Sequence, residues 1–405
     1  MASLLIRNPA RIVSPQPGVL RGPGLAAPIV RQGESILIED GIISAIAPLA
    51  ELAARAEQSG AEVIEASGRA VVPGFIDCHS HLVFAGSRIE DFARRCAGAG
   101  YAEIAASGGG IGLTVDATRR AGRSELKALA RERLELALRQ GTTTMEVKSG
   151  YGLDLKTEMK ILEVVAELHG EQPVDLVPTF LGAHAVPPGM TRTDYLREVK
   201  AMLPEVADLA RFCDIFCEEG YFTPAESIDL LAIARGHGLL PRMHANQFSA
   251  GGCIDVAVKL GAVSVDHLEV IELEEITALA ATDIACVTLP GVSLFLDIPF
   301  APGRAMIDAG CILALASDFN PGSNPCLSLQ LAMSLACLRM GLAVGEALAA
   351  ATITAAHALH LKRVGCIEPG WQADLLLLDC PDYREMLYFY GYNHVHTVIK
   401  KGRIV

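Results

Sequence analysis

Two hydrophobic patterns alternate through the middle of this chain. Short apolar runs occur in "VVPGFIDCHSH", "GTTTMEVKSG", "VDLVPTFLGAH", "FCDIFCEEG", "LLPRMHANQ", "AVSVDHLE", "IACVTLPG" and "CILALASDFN". Between most of them lie stretches, such as 124–140 and 155–169, whose apolar residues recur at helical spacing. Eight strand-like runs separated by helices predict an α/β fold, a (β/α)₈ TIM-like barrel of roughly 290 residues. The ends of the chain follow another rhythm. "ESILIEDGIISAIAP" sets a "DG" turn between two alternating runs, a hairpin signal. "GCIEPGWQADLLLLD" and "HTVIKKGRIV" are short strands punctuated by Gly. The expected organisation is a small β-sandwich domain assembled from both termini, residues 1–68 plus 364–405, around a barrel spanning 69–363.

Composition narrows the classes of partner. Hydrophobic residues make up 51% of the 405 positions and aromatics only 5%. The core must therefore be built from Ala, Leu, Val and Ile, which suits buried parallel strands and their covering helices. The net charge of -13, without a basic block, argues against nucleic acid and against an anionic membrane surface. An anionic small-molecule substrate would need local positive groups. Eleven scattered cysteines read as reduced, buried thiols of a cytoplasmic protein, including the close pair Cys213 and Cys217. The first residues carry no long apolar segment, so no membrane span is expected there.

The polar residues then fall into place. His79 and His81 end the first predicted strand, two residues apart, and alternation along a strand would point both rings the same way. His184 ends the third, His244 the fifth, His267 the sixth and Asp318 the eighth. A single His at a strand end is more often a hydrogen-bonded structural residue. Five of 11 histidines at the end of a barrel that carries active sites, with a terminal Asp, are a different matter. His79, His81, His244 and Asp318 make a plausible shell for one divalent metal, since imidazoles and a carboxylate suit Zn²⁺ or Fe²⁺. Such a cation acidifies a water, and Asp318 could hold that water and accept its proton. His267 is a candidate to polarise the attacked carbonyl or shuttle a proton.

The chain contains its own control. His394 and His396 in "NHVH" have the same spacing but no partnering motif, and read as structural or surface residues. His169 and His237 each precede a Gly at a predicted helix end, where a cation meets the negative pole. His357 and His360 lie in an apolar helix and are expected to pack.

The stretches "DCHSHLVFAGSR", "YAEIAASGGGI", "EVKSGYGLD", "FLGAHAVPP", His244 to Gly252, "SVDHLE" and the "SDFNPGS" segment resemble the amidohydrolase superfamily, and within it the imidazolonepropionases. These are barrel hydrolases with a β-sandwich built from both termini. The resemblance implies hydrolysis of the cyclic amide of 4-imidazolone-5-propanoate to N-formimino-L-glutamate, in histidine degradation, by a metal-activated water. It implies one Zn²⁺ or Fe³⁺ per subunit, held by His79, His81, His244 and Asp318. It implies substrate contacts from Arg88, Tyr151, His184, Gln247, Asn320, Gly322 and Ser323, with a contribution from Tyr101, and a homodimer. The residue types agree. Arg88 offers a two-pronged donor for a propanoate, or else pairs with Glu90 or Asp91. Tyr151 sits between glycines, where an exposed loop aromatic has little packing reason to be. His184 could donate to the ring carbonyl or the carboxylate. The "NPGS" turn would face its amides and Asn320 to the mouth. The loop 107–111 is Gly-rich enough for a lid.

Three positions depart from the pattern. Gln247 stands where some relatives carry Glu; it can orient a water or an amide but cannot be a base, so proton traffic rests on Asp318 and His267. Asn246 and Ser80 replace a common Asp and Thr beside the ligands. The fourth strand run has no Lys, which argues for one metal over a Lys-bridged pair. Two other readings remain at this point: another mononuclear amidohydrolase, either a cyclic amidase or a nucleobase-type deaminase, and a catalytically dead binding protein on the same fold.

Overall fold

The computed structural model describes residues 3–99 and 109–405. Tyr101 and residues 107 and 108 of the Gly-rich segment lie outside them. The N-terminal part contributes β1 (Ser3–Arg7), β2 (Arg11–Ser14), β3 (Ile29–Arg31), β4 (Ser35–Glu39), β5 (Ile42–Ala47), β6 (Glu62–Glu65) and β7 (Ala70–Pro73). The barrel follows as β8 (Phe75–Asp77), β9 (Thr142–Lys148), β10 (Asp175–Ala183), β11 (Phe212–Cys217), β12 (Leu240–Ala245), β13 (Ser264–His267), β14 (Ala285–Thr288) and β15 (Ile312–Leu315). The chain ends in β16 (Leu375–Leu378), β17 (Val395–Lys400) and β18 (Arg403–Ile404).

The eight strands β8 to β15 lie side by side in sequence order, each paired in parallel with the next. The predicted barrel is thus found, with each apolar run in its expected strand. Helices over Arg123–Arg139 and Leu155–Glu171 coincide with two predicted ones, the second capped by Asp154, whose side chain accepts from the Thr157 N–H. Two further sheets are built from the termini, in orders β5-β4-β1-β6 and β18-β17-β16-β7-β2-β3. Their shared core mixes both ends of the chain: Leu4, Ile6, Ile36 and Ile38 pack with Leu375, Leu377 and Ile399. The "DG" hairpin forms as expected between β4 and β5. Asp40 (φ 51°) and Gly41 (φ 80°) take the two left-handed positions of its turn.

The first apolar run is divided. β7 pairs with β16 and β2 in a terminal sheet, whereas β8 pairs with β9 in the barrel. Gly74 makes the crossing because a Cβ there would lie 2.3 Å from Thr143 Oγ1. β8 ends at Asp77, so His79 and His81 lie beyond the regular strand. Their common direction survives because the chain stays extended against the eighth strand's exit. The Asp318 N–H donates to His79 O at 2.9 Å, Ser80 bridges Phe319, and the His81 N–H donates to Phe319 O at 2.9 Å.

Several smaller expectations are corrected. Cys217 forms a disulfide with Cys253, so these two are not free thiols; Cys213 and the other eight cysteines are unbridged. The pair lies 36 residues apart in sequence and meets because the exit of β11 borders the helix that follows β12. His169 accepts the Leu176 N–H at Nδ1, so it acts as a neutral acceptor there and not as a helix-end cation. His360 is exposed rather than packed. Among the described residues no helix is long and apolar enough to cross a membrane.

Candidate metal centre and active site

The mouth of the barrel gathers the predicted ligands. The ligand atoms of His79, His81 and Asp318 lie within 4.8 Å of one another, and those of His79, His244 and His267 likewise. His79 Nε2 and His81 Nε2 each stand 3.3 Å from Asp318 Oδ1. His79 Nε2, His244 Nε2 and Asp318 Oδ1 are buried and have no hydrogen-bond partner. Buried polar atoms are rarely left this way, and orphans converging on one point fit a cation.

Behind the ligands stands a layer of charge that sequence reasoning missed. His79 Nδ1 meets Asp266 Oδ2 at 2.6 Å, and His244 Nδ1 meets Asp214 Oδ1 at 3.1 Å. Each carboxylate accepts a hydrogen bond from Nδ1–H and leaves Nε2 as the metal-facing lone pair. The two aspartates are balanced by buried cations. Lys148 Nζ donates to Asp214 Oδ2 at 2.8 Å and to Glu146 Oε1 at 2.9 Å; Arg242 donates to Asp266 Oδ2 at 2.9 Å. Burial and Lys148 pull the His79 imidazole down, yet Asp266 and Asp318 together lift it to about 9. The cluster favours positive charge at its centre, which a metal ion supplies. A signal for this layer existed. Glu146, Lys148, Asp214 and Asp266 are charges inside runs that a fully buried parallel strand would otherwise fill with apolar side chains.

Above the ligands a cavity is lined by Arg88, Tyr151, His184, Gln247, His267, Asp318, Asn320, Gly322 and Ser323, the substrate and catalytic residues expected from sequence apart from Tyr101, and by the expected ligand His81. Phe216, Tyr221, Phe248 and Leu296, which were not expected, share its wall with Ile111 and His244. Arg88 Nε donates to Asp91 Oδ2 at 2.6 Å, so the ion pair and the cavity position coexist. Tyr151 is not an exposed loop aromatic: it is 4% exposed and its ring meets those of Phe84, His81 and His184. Its loop is gathered by the buried Glu158 carboxylate, which accepts the N–H groups of Gly150, Gly152 and Leu153 at 2.7–2.9 Å.

His184 Nδ1 lies 3.0 Å from Gly150 O. A carbonyl only accepts, so Nδ1 carries the proton and Nε2 is an acceptor. Burial, then His81, holds this ring neutral, with a pKa of about 3. His184 therefore offers the cavity an acceptor at Nε2, where the sequence suggested a donor. The Asn320 side chain is spent on its own turn: Oδ1 accepts the Gly322 and Ser323 N–H groups at 2.8 and 2.7 Å, and Nδ2 donates to Asp318 O and Ser323 Oγ. Those two amides face inward to Asn320, not to the mouth. Ser323 Oγ reaches Asp318 Oδ2 at 3.2 Å, so the turn orients the carboxylate. Asn246 likewise turns away from the metal shell, donating to Glu275 Oε2 at 2.7 Å.

His267 Nδ1 lies 3.3 Å from Glu269 Oε1. The backbone here is strained: His267 (φ 89°) and Leu268 (φ 69°) occupy left-handed space that their side chains disfavour, at a cost of about 1–3 kcal/mol each. His394, the control, bonds Asp379 Oδ1 at 2.9 Å away from the mouth.

The amidohydrolase family model matches residues 70–405. Over its whole length the chain is 45% identical to the imidazolonepropionase of Rubrobacter xylanophilus and 46% identical to that of Geobacillus thermodenitrificans, covering 98% of each. The chain belongs to the imidazolonepropionase family. Imidazolonepropionases are amidohydrolases, so the chain is a hydrolase with a metal cofactor and a small-molecule substrate, and the binding-protein and deaminase readings are not favoured. Solved structures share the fold at lower identity. An adenosine deaminase from Xanthomonas campestris with bound zinc superimposes with a TM-score of 0.72 at 18% identity, over 100% of this chain and 92% of that one. A guanine deaminase from C. acetobutylicum gives 0.71 at 14%, with both chains fully covered.

Proposed function

We propose that this imidazolonepropionase-family chain adds water across the ring amide of 4-imidazolone-5-propanoate to give N-formimino-L-glutamate, and that His79, His81, His244 and Asp318 hold one Zn²⁺ or Fe³⁺ per subunit. The observation that carries this reading is the convergence of the unpartnered His79 Nε2, His244 Nε2 and Asp318 Oδ1 beneath a cavity that also holds Arg88. A cation bound there acidifies water and polarises a carbonyl.

The protein groups do the rest. Asp91 fixes Arg88 through Nε, leaving its terminal nitrogens to grip the propanoate in a planar, two-bonded geometry. His184 Nε2 accepts a ring N–H, and Tyr151 packs along the ring's edge. Gln247 orients the amide. Asp318, steadied by Ser323, takes the proton of the attacking water and returns it to the ring nitrogen as the C–N bond breaks. His267, oriented at Nδ1 by Glu269, polarises the oxygen that gains charge. Water adds its hydroxyl to carbon and its proton to nitrogen, so no other reactant is consumed. The reading keeps a cytoplasmic homodimer, for which the exposed Tyr388, Tyr390 and Tyr392 offer apolar surface.

The test is to supply 4-imidazolone-5-propanoate and follow loss of its ultraviolet absorbance. Turnover is expected, abolished by a chelator and restored by metal. Absence of turnover by protein of measured full metal content rejects the substrate assignment.

A further inference from the structure

Glu218 is 5% exposed, and among the described residues no Lys, Arg or His pairs with it. A buried carboxylate without a counter-ion is costly unless hydrogen bonds replace its water. Oε1 accepts the neighbouring Glu219 N–H at 3.1 Å, and the other donors come from one loop. Oε2 accepts the N–H groups of Gln247 and Phe248 at 2.9 and 3.0 Å, and Oε1 accepts the Ser249 hydroxyl. Gln247 and Phe248 both line the cavity; Glu218 and Ser249 do not. The carboxylate is itself held in place. The Glu218 N–H donates to Phe222 O, and its own O accepts the Tyr221 N–H at 3.0 Å. The neighbouring Cys217 is bonded to Cys253, the first residue of the helix that ends the same loop. The exit of β11 thus grips the loop after β12 at its start through a carboxylate and at its end through a disulfide.

We infer that Glu218 is a positioning residue for substrate, acting through Gln247 and Phe248 without touching the reacting atoms. The inference rests on the proposed placement of Gln247 against the substrate amide. The loop N–H groups have one fixed direction, and a charged acceptor strengthens each bond. Losing that acceptor lets the loop drift from the cavity while the metal shell, held by Asp214 and Asp266, stays in place.

Glu218→Gln keeps the volume and removes the charge. Its KM for 4-imidazolone-5-propanoate is expected to rise about tenfold, the scale of losing one charge-assisted hydrogen bond. Its kcat should stay within about threefold and its metal content should equal the parent's. Ser249→Ala, which removes one donor, should raise KM in the same direction and serves if Glu218→Gln does not fold. Gln247→Ala separates the two layers of the claim. If Gln247→Ala raises KM and neither Glu218→Gln nor Ser249→Ala does, the positioning role is overturned, even where their melting temperatures fall. If Gln247→Ala leaves KM unchanged as well, the placement of Gln247 at the substrate is wrong and the inference falls with it.

Discussion

A neutral imidazole whose Nδ1–H is spent on a backbone carbonyl can only accept at Nε2, and His184 is in that state because Gly150 allows it. A Cβ at Gly150 would stand 2.9 Å from His184 Nδ1, and its φ of 104° disfavours any side chain. His267 is oriented differently, by the Glu269 carboxylate at Nδ1. Burial pushes that carboxyl up, and His267 only partly offsets the push. Its charged form is the useful one, so activity should be lost as pH falls through a value above that of an ordinary glutamate. In Glu269→Gln this acidic limb of the kcat profile should disappear and kcat should fall by roughly tenfold or more at neutral pH, with metal content unchanged. An unchanged profile would refute the pairing. Residue types were legible in the sequence, but directions were not. Asn320 lines the cavity, yet its four polar contacts all serve the turn, a fact that only three-dimensional neighbours reveal.

Among elements, the eight barrel strands could be read in advance because each is a short apolar run bounded by helical periodicity, and β-sandwich hairpins carry turn residues at fixed places. What escaped were contacts between elements distant in sequence. The crossing at Gly74 was hidden because β7 and β8 form one unbroken apolar run, and only their partners, β16 and β9, tell them apart. The Cys217–Cys253 disulfide was hidden for the same reason: nothing local to either cysteine marks the other. It has a direct check. Denatured, unreduced protein should titrate with nine thiols, and reduced protein with all 11 cysteines. Eleven thiols without reduction would remove the second grip on the Gln247 loop.

For the whole molecule, a metal held by the proposed ligands would join the exits of the first, fifth and eighth strands of the barrel. Anything that binds only the folded state stabilises it by mass action, so chelation should lower the melting temperature by roughly 5 °C or more and metal should restore it. An equal melting temperature in the two forms would contradict a site built across strands. The joint that the metal spans is thinly made. β8 and β15 share no regular ladder. They are held by the bonds of His79 and His81 to Asp318 and Phe319, and by Asp77, which accepts the Ser317 N–H and hydroxyl at 3.0 and 2.5 Å across 240 residues of chain. Contacts so distant in sequence require a large loop to close before they return any energy, and this makes them late events in folding. The proposed coordination sphere is thus completed only where β8 and β15 meet. A nascent chain has His79 and His81 long before Asp318, so the proposed set of ligands is complete only once the eighth strand has been made.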